Sequence, residues 1–264
     1  MSNAAALRPT APRRGQARLV RDGCYVYGVV PAGTPAPAPE ATLLTRDEIA
    51  ALVTQPSARP VSRTRRALLT HVELLDRASA TVPVLPMRFG TVLPSERAVE
   101  EELLAPYHDA FVAALAALTG RAQFTVRARY LSEAVLREVL EREPRARHLH
   151  ERLHDGSGSD FADRVRFGEM VAHALMAIRE VDAAFLEGTL RQYAVLTVVR
   201  VPPAVEGYRV ADAAFLVERE RRAPFEEAVE ELAGQWRHRA RLRLIGPMAA
   251  YDFADQLIHS PAGG

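Results

Sequence analysis

Hydrophobic positions along this chain switch repeatedly between a period of two and a period near three and a half, so strands and helices are predicted to alternate. Cys24–Val30, CYVYGVV, is aromatic and β-branched almost throughout and is stopped by Pro31, which predicts a strand. The proline-rich run at 31–40, PAGTPAPAPE, predicts an exposed loop. Ile49, Leu52 and Val53 share one helical face and predict a short helix over 46–54. Over 64–80, Leu68, Leu69, Val72 and Leu75 keep the three-four spacing of a packed helix, with Thr64 placed to cap it. Residues 82–93 predict a strand, after which Ser95 caps a helix carrying Val99, Leu103 and Leu104. Pro106 is expected to kink or restart that helix. Its continuation carries Tyr107, Phe111, Leu115 and Leu118 and ends at Thr119-Gly120. Phe124, Val126 and Ala128 then alternate with Thr125, Arg127 and Arg129, the pattern of an antiparallel strand buried on one face.

The middle third is helical. Leu131, Val135, Leu136, Val139 and Leu140 stripe residues 131–152, and a polar break, HDGSGSD, follows at 154–160. Phe161, Val165, Val171, Leu175, Ile178 and Phe185 then mark a long helix or helix pair reaching 193. Two long helices joined by a short polar turn predict an antiparallel hairpin. The last third returns to strands at 194–201, 210–219 and 240–246. A helix with Pro224 in its first turn and Phe225, Val229, Leu232 and Trp236 on its core face precedes the final strand. The predicted fold class is α+β: two small ferredoxin-like α+β domains with a long helical hairpin between or beside them. The predicted boundaries are a disordered lead at 1–22, an N-terminal α+β domain at 23–130, a helical arm at 131–193, a C-terminal α+β domain at 194–255 and a flexible tail at 256–264.

Composition narrows the function more than the fold. Of the 264 residues, 48% are hydrophobic and 25% charged, as in soluble globular proteins. The formal net charge of +1, without a long block of one sign, argues against a dedicated nucleic-acid or membrane-surface protein. Every cationic side chain is arginine, so surface guanidinium groups alone are weak evidence for anion sites. The single cysteine, Cys24, excludes an intrachain disulfide and a thiolate metal cluster and reads as a buried strand residue. No apolar run approaches the roughly 20 residues that span a bilayer. The N-terminal stretch lacks the apolar core of a signal peptide, so a cytoplasmic location is expected.

Candidate chemistry is sparse. In HLHERLH, His150 and His154 share a helix face four residues apart, but no third ligand and no HExxH pattern accompany them. They read, with His148, as a solvated helix end. The Gly-Ser-Gly at 156–158 lacks the strand and the Lys-Ser/Thr of a phosphate loop. Paired glutamates at 100–102, 226–227 and 230–231 fall on exposed helix faces. Arg127 and Arg129 could meet RNA only with aromatic partners on their own strand face, and Phe124 and Tyr130 fall on the other. Neither catalytic residues nor a cofactor or metal site emerge from these patterns.

One stretch remains: VLPMRFGTV at 84–92 sets Arg88 between two extended apolar pieces. Together with the helix that follows, VLPMRFGTVLPSERAVEELL (84–104) resembles the signature of the gas vesicle protein F/L family. RLRLIGPMAAYDFAD (241–255) is similar to that family's C-terminal strand, Gly-Pro and Tyr-x-Phe. YVYGVV near the start, FADRVRFGEMVAHAL and DAAFLVERERRAPFEEAVEELA look like further family segments, so the resemblance runs in order from about residue 24 to 255. Two departures stand out. The usual Gly-Pro-Trp-Pro-Pro-Tyr-Ser-Phe ending reads Gly246-Pro247-Met248-Ala249-Ala250-Tyr251-Asp252-Phe253, and the strand at Gln123-Phe124-Thr125-Val126 replaces a Glu-Trp-Gly-Val-type start.

The resemblance implies an accessory or minor structural protein of gas vesicles, air-filled protein shells. It implies the hydrophobic shell protein and other gas vesicle accessory proteins as partners, with a role in nucleation or assembly, and it brings no catalytic residues. Candidate structural or interface residues are Arg88, Phe89, Gly90, Gly246, Pro247, Tyr251 and Phe253. Arg88 is expected to satisfy carbonyls freed at the strand-to-helix turn with its five donors, or to clamp a partner's carboxylate. The competing reading is a small-molecule or anion-binding domain pair, even an enzyme, with its pocket near Arg88.

Overall fold

The computed structural model describes residues 23–39, 41–54, 64–155, 160–202 and 208–259. The expected lead at 1–22, the Gly-Ser-Gly turn and the end of the expected tail lie outside them. In the first of two antiparallel sheets, β1 (Cys24–Pro31) runs between β3 (Ile49–Thr54) and β4 (Leu85–Pro86). β2 (Thr42–Arg46) lies outside β3, and β5 (Val92–Leu93) pairs with the start of β1. The second sheet has the order β7 (Leu196–Arg200), β8 (Arg209–Glu218), β6 (Arg121–Tyr130), β9 (Ala240–Met248). The helices are α1 (Arg65–Ser79), α2 (Glu96–Ala98), α3 (Ala105–Leu118), α4 (Ser132–Arg142), α5 (Pro144–His154), α6 (Phe161–Leu190), α7 (Arg222–Trp236) and α8 (Ala254–His259).

The alternation of side chains on β8 shows how the layers stack. Ala213, Phe215 and Val217 point to one face, against Phe225, Val229 and Leu232 of α7 and Leu186 and Leu190 of α6. Ala214 and Leu216 point to the other, into a core that also holds Phe111 and Leu115 of α3 and Val26 and Val53 of the first sheet. α3 is therefore the shared filling between the two sheets. The far face of the first sheet packs Tyr25, Tyr27 and Leu52 against Leu74, Leu75 and Ala78 of α1. The sequence of layers is helix, sheet, helix, sheet, helices. Each fully buried Phe or Leu in these cores contributes about 2–3 kcal/mol of apolar burial, which makes the shared middle layer the main tie between the sheets.

Most predicted elements are found, and the departures have physical causes. The α+β class with antiparallel sheets is as expected. In the second sheet, strand, helices, strand, strand, helix and strand follow in the order compatible with a ferredoxin-like unit. The first sheet is reached differently, through a hairpin. Residues 49–54, expected to be helical, are the strand β3: Ile49, Ala50, Ala51, Leu52 and Val53 are all buried, and an all-round apolar run suits a central strand better than an amphipathic helix. Asp47, at φ 50°, makes the turn from β2. The strand expected over 82–93 is two short pairings around a turn, because Gly90 takes φ 91° between them. The helix expected over 131–152 breaks at Glu143, whose extended backbone (φ −116°, ψ 88°) is what a following Pro144 demands.

Two segments also group differently from the predicted division. β6, grouped with the N-terminal α+β domain of 23–130, pairs with β8 and β9 and is a central strand of the second sheet. Residues 256–259, expected in the tail, are helical, since Leu257 and Ile258 pack on the shared core. The arm expected over 131–193 covers the second sheet with α4 and the C-terminal half of α6, where Val135, Val139, Leu175, Ile178 and Leu186 are buried. Within the loop at 31–40, Thr34 and Ala38 are buried rather than exposed.

Candidate functional site

The two segments singled out in the sequence, around 84–93 and 246–255, meet in space. Arg88 donates from Nη2 to Oδ2 of Asp255 at 2.7 Å, which ties the β4–β5 turn to α8 across 167 positions of sequence. Both partners are well exposed, at 75% and 73%. Arg88 thus pairs with a carboxylate of its own chain; the carbonyls it was expected to satisfy are served otherwise. The Arg88 carbonyl accepts from the Thr91 hydroxyl and backbone N–H, and the Thr91 carbonyl accepts from Val26. Gly90, in the left-handed region, donates its N–H to the Tyr25 hydroxyl at 3.2 Å.

That phenol begins a mostly neutral polar knot on the outer face of the first sheet. Tyr25 Oη accepts from Gly90 and shares a second hydrogen bond with Nδ1 of His71, 2.7 Å away. His71 stacks on Tyr27 and meets Phe89 edge-on, and Tyr27 Oη accepts from the Thr54 hydroxyl at 3.0 Å. Burial pushes the His71 imidazole below its ordinary range, against a smaller opposing pull from the Met87 backbone. Burial likewise raises the Tyr25 and Tyr251 phenols and the nearby Asp76 carboxyl.

The 246–253 segment is a strap that leaves the second sheet and crosses to the first. Gly246 takes φ 135° across a cis bond to Pro247. A Cβ at Gly246 would stand 2.7 Å from the Gln123 carbonyl and 3.0 Å from the Phe124 ring. Met248 ends β9, and the Ala249 N–H then donates to Oδ1 of Asp76 on α1 at 2.9 Å. Tyr251 packs on the first sheet's outer core, while Phe253 is fully buried in the shared core. Gln123, 1% exposed, holds the strap's far end: its Nε2 donates to Asp252 and its Oε1 accepts from the Asp252 N–H. Arg219, just before α7, completes the junction by donating to the Ser79 and Ala80 carbonyls at the end of α1.

Of the seven sequence candidates, Phe89, Gly90 and Tyr251 thus converge on the Tyr25 face, Arg88 reaches α8, and Gly246, Pro247 and Phe253 lie along the strap. Asp76, Gln123, Arg219 and Asp255 are missing from the sequence-derived set. Each acts through a partner more than 120 positions away, so local periodicity carries no trace of it. Beside the strap, Asp76, Ala80, Phe124, Arg219, Arg222 and Pro247 are among the residues lining a cavity of about 340 Å³, from which Arg88 is absent. Among the described residues no group of three or more His, Cys, Asp or Glu could hold a metal ion, and no helix is long and apolar enough to cross a membrane.

Such a site binds two sheets to one another through a strap, a helix cap and an exposed ion pair, and it defines a structural junction more than a reaction centre. The chain belongs to the GvpL/GvpF family of gas vesicle synthesis proteins, which it matches over residues 23–255. Gas vesicle protein F of Streptomyces sp. (strain CB03234) is 32% identical over 241 residues, covering 88% of this chain and 99% of that protein. Gas vesicle protein L of the same strain is 31% identical over 249 residues, covering 90% and 82%. The crystal structure of GvpF from Anabaena sp. PCC7120 superposes with a TM-score of 0.73 at 22% identity, over 88% of this chain and 98% of that one. That of Microcystis aeruginosa GvpF gives 0.68 at 21%, with the same coverage. The α+β architecture is therefore shared with solved structures, and the association with gas vesicles follows from the family.

Proposed function

We propose that this chain is a non-enzymatic gas vesicle accessory protein acting in the cytoplasm, where it binds the hydrophobic vesicle shell protein and assists nucleation or assembly. The carrying observation is the set of apolar side chains that α6 leaves exposed: Phe161 at 75%, with Val165 and Met176, along one side, and Val181 at 68% and Phe185 at 51% on the other. A shell subunit with a gas-facing apolar surface needs that surface covered before assembly, and exposed apolar side chains on a long helix fit the task. In this reading the Arg88–Gly90 turn and the Gly246–Phe253 strap are structural, holding the two sheets in fixed relation so that α6 is presented rigidly.

Deleting the whole arm would unfold the second sheet's core, so point changes at these exposed positions are the better test. Phe161→Ser, Val165→Ser, Met176→Ser and Val181→Ser combined should abolish capture of the purified shell protein. Wild-type capture should survive high salt, which screens charge pairs but not apolar contacts. Capture unchanged in the fourfold variant would end this reading. A ligand-binding role centred on Arg88 has weaker support, because that side chain is exposed and committed to Asp255. A small ligand would be sought first in the cavity by Arg219 and Arg222.

A further inference from the structure

The face of the second sheet that α3 covers at one end has, among the described residues, no covering layer at the other, and arginines fill it. Register across the four strands places Arg200, Asp212, Arg127 and Arg243 in one row. The next row is Arg209, Arg129 and Arg241. All belong to the face of Thr125 and Ala214, since Arg127 and Arg129 follow Thr125 at steps of two. Six arginines thus share two rows with Asp212, and Asp252 meets Arg200 at the rim. Asp212 is already engaged, with Arg209 and with Arg127 at 3.7 Å. Arg129, Arg241 and Arg243 are exposed, and no described carboxylate lies within ion-pair distance of them.

Like charges directly opposite on neighbouring strands destabilise a sheet. Here Arg127 faces Arg243, and Arg129 faces both Arg241 and Arg209. In a chain whose net charge is only +1, six arginines and one aspartate therefore share two rows of one sheet face. We propose that this face is the docking surface for an acidic helical segment of a partner protein.

The geometry suits carboxylates on a helix. Rows along a strand repeat about every 7 Å, close to the roughly 6 Å between residues four apart on a helix. Guanidinium forks take carboxylates through two parallel hydrogen bonds, and arginine keeps its charge at any physiological pH. Nucleic acid fits less well. Among the described strand residues no aromatic side chain joins these rows for base stacking, because Phe124 and Tyr130 are buried in the core on the opposite side.

The test uses the full chain and fluorescence anisotropy with three labelled probes: a helical peptide with glutamates four apart, its glutamine counterpart, and a single-stranded RNA of similar length. The glutamate peptide should bind at low salt, release as salt rises, and bind at least about tenfold more weakly to Arg129→Gln/Arg243→Gln. The pair Arg127→Gln/Arg241→Gln should behave alike, and the remote Arg97→Gln should bind as wild type does. Arg129→Gln/Arg243→Gln should melt no lower than wild type, since it removes mutual repulsion and leaves the Arg127–Asp212 pair in place. Absence of glutamate-peptide binding, equal binding by the glutamine peptide, tighter binding of the RNA, or unchanged affinity in both double variants would overturn the proposal. Self-association abolished by those variants would also overturn it, by making the occupant a second copy. None of these outcomes touches the apolar surface of α6, which lies on another element.

Discussion

The outer faces of the two sheets each bury a polar knot, and they solve the problem with different chemistry. On the first sheet the knot is built around neutral groups: Tyr25, Tyr27, Thr54 and an imidazole kept neutral by burial. On the second it is ionic. Tyr130 donates to Asp182, whose other oxygen accepts from Arg239 at 2.7 Å, and Arg239 also reaches Glu138 through Nε at 2.6 Å and Nη2 at 3.2 Å. Arg142 donates to the same glutamate, and the Arg239 guanidinium lies 5.4 Å over the Tyr130 ring. The ionic knot fastens α4, α6, β6 and the turn before β9 at a single point. A neutral knot tolerates the loss of a member; an ionic one does not, because removal of one charge strands another in a poor dielectric.

The largest effect should therefore come from Asp182→Ala. It leaves the Tyr130 hydroxyl without its acceptor and removes one of the two carboxylates that hold Arg239. The expected cost is about 3–4 kcal/mol, read as a lower urea midpoint. A loss under about 1 kcal/mol would mean that the second knot is no more demanding than the first. Gly246→Ala comes next, at about 3 kcal/mol, since it combines a left-handed backbone with a Cβ 2.7 Å from the Gln123 carbonyl. Because the strap connects the two sheets, this variant should also uncouple them. Hydrogen exchange should rise in α1 and β1 more than in β8, whereas uniform exchange would show that the strap does not transmit.

The difference between the knots also marks what the chain reveals by itself. Period-two strands such as Gln123–Tyr130 and capped helices such as 64–80 are local facts, and they are legible. Ile49–Val53 misled because an uninterrupted apolar run fits either a buried strand or a helix face, and only its neighbours β1 and β2 decide. β6 was grouped with the wrong sheet for a related reason: its pattern states that one face is buried but not against what. At the junction, the motif residues Arg88, Gly90 and Gly246 stood out as a resemblance to a family. That they are joined to Asp255, Tyr25 and Gln123 did not, since nothing in the spacing of a lone aspartate, tyrosine or glutamine announces a contact 65 or more residues away.

His71→Phe sharpens the comparison through pH. The native imidazole is held below its ordinary value, so between the unfolded value near 6.5 and that lower native value the unfolded chain binds the extra proton. The stability contributed by neutral His71 is present above about pH 6.5 and is lost as pH falls toward the native value. Phenylalanine keeps the stacking on Tyr27 but loses the Tyr25 hydrogen bond, which should cost about 1 kcal/mol at pH 7.5. It should also remove part of the decline on acidification. His108 has the opposite sign. Its half-buried imidazole is raised first by the hydrogen bond to Asp109, against a smaller opposing effect of burial, and further by the charges of Glu48, Asp109 and Asp47, so it stabilises at low pH and that contribution fades as pH rises through its native value. A His71→Phe melt series as steep toward acid as the wild type would place the pH dependence elsewhere.

The smallest effect belongs to the residue most conspicuous in the sequence. Arg88→Gln removes an ion pair whose partners are both about three-quarters exposed, where screening and side-chain entropy leave roughly 0.5 kcal/mol or less. The backbone of its turn is held independently, by Thr91 to the Arg88 carbonyl and by Gly90 to Tyr25, and none of those bonds uses the guanidinium. Urea midpoints of wild type and Arg88→Gln should therefore coincide within error at moderate salt. A loss comparable to that of Asp182→Ala would mean that this pair carries the junction between the sheets. The contrast between an exposed tie and a buried one would then fail as a guide to where this chain stores its stability.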